Sequence, residues 1–289
     1  MASFNPKDLT TGRLHGYLLS AVAPRPIAFA STVDVNGNPN LSPFSFFNVF
    51  SANPPILIFS PARRVRNNTT KHTLENVEAT KEVVINVVNY DIVQQMSLSS
   101  TEYDKGVNEF EKAGLTMLES DVVQPFRVAE SPVQLECKVN DIIHLGTEGG
   151  AGNLVICEVV KLHISDDVLD DKDLIVQEKL DLVARAGGNY YNRAKKGFFE
   201  IPKPLSTLGI GVDNMPNVVK NSMVLTGNDL GMLGNVEALP EQDEIDEFIS
   251  NVSERYPNIK DMAHHEKHKI ARNYLSYGDV DSAWKLLLS

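Results

Sequence analysis

The stretch Asn40 to Pro55, NLSPFSFFNVFSANPP, threads Phe44, Phe46, Phe47 and Phe50 with Ser42, Ser45, Asn48, Ser51 and Asn53. A buried strand would not carry so many small polar groups, and a solvent loop would not carry so many phenylalanines. The mixture suits a wall that holds something flat and apolar and hydrogen-bonds its edge. A second set of residues points to an anion. Lys71 and Thr73 fall near the start of the helix-like segment TKHTLENVEATKE. A cation, a hydroxyl and the free N–H groups of a helix start together favour negative charge. Arg63, Arg64 and Arg66 form a local arginine cluster in a chain whose net charge is −11. They read as phosphate-binding groups or, equally, as a solvated basic loop.

The elements that must position these residues are mostly strands. PIAFASTVDVNGNPNLSPF is an apolar run, an Asn36-Gly37 turn and a second run. Asn-Gly between strand-like segments predicts a tight hairpin with φ > 0 at both turn positions. PPILIFSP is a short strand fenced by prolines, and EVVINVVN is β-branched and apolar, as a buried strand should be. PVQLECKVNDIIHLG and NLVICEVVKLHIS flank the glycine-rich GTEGGAGN, which reads as a flexible hairpin tip and a poor phosphate loop. Many short strands with few long helices predict a barrel or sandwich.

The character changes near Ile201. IPKPLSTLGIGVDNMPNVV reads as a connecting loop, and from Pro240 the chain is helical, with apolar Ile245, Phe248, Ile249 and Val252 at helical spacing. HKIARNYLSYGDVDSAWKLLLS reads as two helices joined at Gly278-Asp279, like a single tetratricopeptide hairpin; one such unit cannot stack into a solenoid. The expected division is 1–205 for the barrel domain, 206–239 for a Pro/Gly-rich connector and 240–289 for a helical extension. In the His264, His265 and His268 cluster two histidines stand four apart, enough for part of a zinc set with no third ligand beside them, so a solvated helix face and no metal are expected.

Charge and composition narrow the class further. The acidic balance argues against a general nucleic-acid binder, and no apolar run approaches the roughly 20 residues of a membrane span. MASFNPKDLTTGRLHGY lacks the basic and apolar regions of a signal peptide. Cys137 and Cys157 sit in apolar strand-like runs, so buried free thiols and a cytoplasmic location are expected.

VAPRPIAFASTVDVNGNPNLSPFSFFNVFSANPPILIFSP resembles the flavin reductase-like, FMN-binding split-barrel family, which includes flavoredoxin-like oxidoreductases. The resemblance runs through Pro24-Arg25-Pro26, Ser31-Thr32, Asn40 to Ser45, Phe47-Asn48 and Pro54-Pro55. It continues in Lys71-His72-Thr73, where the family usually has Lys-Asp-Thr, and in Asn76-Val77 for Asn-Ile. Cys157 replaces a glycine of the family's Gly-Glu-Val strand, and ARAGGNYYNR matches a motif near the domain end. It covers about residues 15–200. It implies a mainly β, six-stranded antiparallel Greek-key split barrel with short helices, usually a homodimer with FMN near the subunit interface.

On that resemblance Ser45, Phe46, Phe47 and Asn48 would meet the flavin ring and ribityl chain. Lys71 and Thr73 would hold the phosphate, with Ser31, Thr32 and Arg64 as further candidates. Tyr190, Tyr191 and Arg193 either reach the flavin across the dimer or pack the domain end. NADH or NADPH would be the transient electron donor. No catalytic dyad is expected, because the cofactor carries the chemistry. A flavin-binding electron carrier, an FMN-storage protein, and a non-catalytic barrel with a partner-binding tail are the alternatives.

Overall fold

The computed structural model describes residues 1–202 and 208–289, which form two compact units, Met1–Phe199 and Glu200–Ser289. The expected domain boundary at 205/206 lies outside the described residues.

The first unit opens with helix α1 (Thr11–Ala21), capped by the Thr10 side chain. Its main sheet contains β1 (Ala28–Val33), β2 (Pro39–Phe44), β3 (Phe47–Ala52), β4 (Pro55–Phe59) and β5 (Glu82–Val87). Two small paired strands follow, β6 (Met117–Leu118) and β7 (Arg127–Val128). The long strands β8 (Val133–His144) and β9 (Asn153–Ile164) return to the main sheet, and β10 (Val183–Arg185) pairs with β11 (Tyr191–Arg193). Helices α2 (His72–Thr80), α3 (Val93–Ser99), α4 (Glu109–Ala113) and α5 (Gln177–Leu180) fill the connections.

The main sheet is antiparallel throughout, in the order β2-β1-β5-β8-β9-β4-β3. Its two edge strands are consecutive in sequence: β2 ends at Phe44 and β3 begins at Phe47. Three peptide steps reach at most about 11 Å, so the sheet must roll until its edges nearly meet. That is the split barrel, closed everywhere except between β2 and β3. The expected six strands become seven, because Phe47–Ala52 pairs with β4. The opening segment is therefore parts of two strands and a tight corner between them. Asn48 and Ser51 are tolerated in β3 because an edge strand has no neighbour on one side.

β1 is buried along its whole length. Side chains alternate across a strand, so Ala28 and Ala30 enter the barrel interior with Phe44, Phe59, Ile85, Cys137 and Cys157. Ile27 and Phe29 face the other way, into an outer layer with Ile92, Met96 and Phe110 from the α3–α4 region. Truncating wholly buried Phe29 to Ala should cost about 3–5 kcal/mol. Both cysteines are buried free thiols.

Two hairpins differ from expectation. The β1–β2 loop spans five residues, and only Gly37, at φ +84°, takes a left-handed conformation there. The Asp34 carboxylate organises it, accepting from the Asn36 and Asn38 N–H groups at 2.8 and 2.9 Å and the Asn38 amide at 2.8 Å. The glycine-rich β8–β9 tip is not free. Gly150 N–H donates to Arg63 O and Arg63 N–H to Ala151 O. A Cβ on Gly149 would lie 3.0 Å from Val65 O and 3.1 Å from Arg64 O, so glycine permits this tip to brace the arginine loop.

The second unit contains α6 (Asn217–Lys220), α7 (Gly227–Leu233), α8 (Gln242–Val252), α9 (His264–Ser276) and α10 (Val280–Leu287). The segment expected to be a connector supplies Met215, Val219, Leu225 and Leu233 to its core, alongside Trp284 and Leu275. Apolar residues four apart, such as Val219 beside Met215, carry this core even though proline and glycine surround them. The α9 start is a solvated face only in part: His264 and His265 are exposed. Lys267 and His268 are buried; His268 Nδ1 bonds Ser222 Oγ at 2.7 Å, and the Lys267 ammonium donates to Ser289 O. No helix among the described residues is long and apolar enough to cross a membrane.

Candidate functional site

Two adjoining hollows in the barrel unit collect the chemistry-bearing side chains. One is a small polar recess at the start of α2, walled by Arg64, Lys71, His72, Ser42 and the Ser99–Tyr103 segment. The other is a cleft of about 560 Å³, lined by Pro43, Ser45, Gln94, Arg185 and Tyr191 among others. They meet at Ser42-Pro43 and share Ser100.

The recess has features that favour an anion. The α2 N-cap is Lys71, with no side-chain cap bond, so N–H groups of the first turn remain open for a ligand. Lys71 is half-buried, and its ammonium lies 5.9 Å from the Phe44 ring centroid. Burial, aided by the Arg64 charge and opposed by Glu102, pushes its pKa below the ordinary lysine value. Among the described residues Lys71 has no ion-pair partner. Arg64 is fixed by Thr69 Oγ1 at 3.0 Å and by Thr70 O. Glu102 reaches Arg64 at 3.3 Å and Arg66 at 2.8 Å, so a carboxylate already stands where a ligand's anion would be attracted. His72 has its pKa lowered by burial, which leaves it neutral near pH 7.

A buried polar network supports the recess floor. Thr73 Oγ1 donates to Asn40 Oδ1 at 2.8 Å, and the Asn40 amide donates to Glu109 at 2.9 Å. Leu41 N–H donates to the other Glu109 oxygen at 3.0 Å, and Asn76 donates to Thr32 Oγ1 at 3.0 Å. Burial raises the Glu109 pKa against these bonds, which favour the charged form.

In the cleft, Arg185 lies 4.6 Å from the Tyr191 ring centroid and has no carboxylate partner among the described residues. Arg25 is buried behind the wall. It donates to Leu19 O and Val22 O, both at 2.5 Å, and to Ser45 Oγ at 3.4 Å. The carbonyls at the C-terminal end of α1 carry partial negative charge and compensate this guanidinium. An Arg25 bond to Ser45 Oγ leaves the Ser45 proton free to point into the cleft.

The expected site residues thus separate. Arg64, Lys71 and Thr73 come together in the recess; Ser45 and Tyr191 come together in the cleft. The Thr73 hydroxyl faces the internal network, leaving its backbone N–H for a ligand. Ser31 and Thr32 are wholly buried and line neither hollow; Ser31 Oγ has no partner. Phe47 packs on the barrel core, Phe46 stands edge-on to His15, and Asn48 accepts from Val49 N–H on the exposed edge strand. Arg193 bonds the Asp181 carboxylate through Nε at 2.9 and 3.1 Å and stacks 3.7 Å from the Tyr90 ring centroid, so its charge is neutralised internally. Sequence reasoning missed Arg185, Gln94, Ser100 and Glu109. Arg185 lies inside the quoted ARAGGNYYNR block and was legible there; Glu109 carries no local signal.

The flavin reductase like domain model matches residues 20–194. An uncharacterized Aquifex aeolicus protein is 36% identical over 191 residues, spanning 66% of this chain and 95% of its own length. The structure of nitrilotriacetate monooxygenase component B from Bacillus cereus superposes with a TM-score of 0.65 at 29% identity, covering 70% of this chain and 98% of that one. A split barrel domain protein from Shewanella frigidimarina superposes with a TM-score of 0.59 at 28% identity, covering 70% and 100%. With the domain model matched across the barrel and both hollows inside it, the chain belongs to the flavin reductase-like family of split-barrel proteins.

Proposed function

We propose that this chain is an FMN-binding oxidoreductase, in its simplest form an NAD(P)H-dependent flavin reductase. The observation that carries this reading is the joined pair of hollows: a small cationic recess at the uncapped start of α2, opening beside a ring-sized cleft. A volume of about 560 Å³ falls in the usual range for cofactor sites. Arg64, Lys71 and the first N–H groups of α2 hold the phosphate. Ser45 offers a hydrogen-bond donor to the ring edge, and Tyr191 and Pro43 cover apolar ring surface. Arg185 and Arg25 place positive charge near the ring, which favours an electron-rich state there. When bound, FMN supplies the hydride chemistry. The protein contributes position and exclusion of water, so no acid–base dyad is required. Exposed Val49 and Phe50 on the β3 edge supply an apolar face for a second copy, and we assign a homodimer on that basis. The buried thiols suit the cytoplasm.

The test is an absorption spectrum of purified full-length protein near about 450 nm, followed by anaerobic NADH or NADPH. Bound flavin that bleaches supports a reductase. Bound flavin that neither nicotinamide bleaches supports an electron carrier or storage protein. No flavin uptake on adding FMN sinks the proposal.

A further inference from the structure

A smaller notch of about 180 Å³ opens beside the cleft, walled by Tyr90, Val93, Val183 and Tyr191. It shares Gln94, Ser97 and Tyr191 with the large cleft, so a molecule in the notch lies against whatever fills the cleft. Its size is selective. An apolar cavity of about 150 Å³ accepts one benzene, so this notch has room for one six-membered ring with small substituents. Its charge is selective as well. The single ionised group in its wall is Arg193, which Asp181 neutralises. Arg185, the cation without a carboxylate partner, lines the cleft and not the notch. Gln94, Ser97 and Asn192 provide hydrogen-bonding groups at the rim.

We propose that the notch is the electron-acceptor subsite, and that it takes an uncharged single-ring carbonyl compound of the benzoquinone class. This rests on the flavin reading above. The stoichiometry closes: reduced flavin gives up a hydride, two electrons with one proton, and solvent gives a second proton. Two quinone C=O π bonds break, two O–H bonds form, the ring becomes a hydroquinone, and flavin returns to its oxidised state. NAD(P)H supplies the next pair of electrons. Tyr90 and Tyr191 offer ring faces, and the rim amides bind the carbonyl oxygens.

The test uses full-length protein loaded with FMN, reduced anaerobically, then mixed with methyl-1,4-benzoquinone while flavin absorbance returns. The expected rate saturates with quinone concentration, as a bound complex requires. Val93→Phe fills the notch from the first residue of α3 and should raise the half-saturating concentration about tenfold. Oxidation by molecular oxygen, which needs no ring pocket, should keep its rate. Asn192→Phe fills the notch from the opposite wall at an exposed strand position and should act alike, should the first variant fold poorly. A linear dependence in the wild type, or unchanged half-saturation in the folded variants, overturns the subsite and leaves the flavin reading standing. Equally tight saturation by menadione, with two fused rings, also overturns it. A protein that takes up no FMN overturns the flavin reading and the subsite together.

Discussion

The α2 recess and the β10–β11 hairpin both present cations beside aromatic rings, yet they do opposite things with them. In the recess, Lys71 sits near Phe44 with no acid of its own, and Arg64 faces only the half-exposed Glu102. In the hairpin, Arg193 stacks on Tyr90 and is held at two atoms by Asp181. The uncompensated charge is available to a ligand; the compensated one ties β11 to the segment after α5. Type and spacing of residues do not distinguish these cases. The presence or absence of a carboxylate does, and in the hairpin that carboxylate is 12 residues away.

Reversing the charge at Lys71 breaks the comparison most severely. Lys71→Glu should weaken FMN binding about a hundredfold or more, since a charge-assisted bond becomes a repulsion; fluorescence titration measures it. The same residue predicts a pH dependence. Its pKa is lowered in the fold, mainly by burial. The cation, and with it FMN affinity, is therefore lost as pH rises through that lowered value, and Lys71→Met should remove the trend. In the flavin-free protein the sign is opposite: the unfolded chain binds more protons, so stability rises with pH from the folded value toward the ordinary one.

Glu109→Gln comes next. One of two donors, Leu41 N–H or the Asn40 amide, would face an amide NH₂, at a cost of about 1–3 kcal/mol in urea unfolding. Because burial raises the Glu109 pKa, stability in the wild type should fall as pH climbs from the ordinary carboxylate range through the raised value. The variant should lose that slope. Glu102→Gln should do the reverse of Lys71→Glu on a smaller scale: freeing Arg64 tightens FMN about three- to fivefold. Asp181→Asn should lower the melting temperature yet leave the FMN dissociation constant within about twofold. A large loss of FMN affinity there would mean that the hairpin charge serves the ligand after all.

Much of the barrel was legible because its signals are local. EVVINVVN, the Pro-fenced ILIF and the long β8–β9 pair show their burial in their own residues. The seventh strand was not, since Phe47–Ala52 owes its conformation to β4 and its polar residues to an unpaired edge. Within the site, Lys71 was legible through its helix start, and Ser45 through its place between Pro43 and Phe47. Ser31 and Thr32, read as ligand groups, lie buried outside both hollows; small hydroxyls on a strand look the same whether they face a ligand or a buried network. The connector misled for a related reason: Pro216 begins α6 as a cap and does not break it. Glu109 was invisible because it lies 69 residues from Asn40, the partner that gives it a role.

The central claim is that the recess at α2 recognises a phosphate attached to the ring in the cleft. Comparing FMN with riboflavin, which has the same ring and no phosphate, tests it most directly. The account predicts that the wild type prefers FMN by about a hundredfold or more, and that Lys71→Glu collapses the ratio toward unity while riboflavin affinity holds. Equal affinity for the two flavins in the wild type would contradict it.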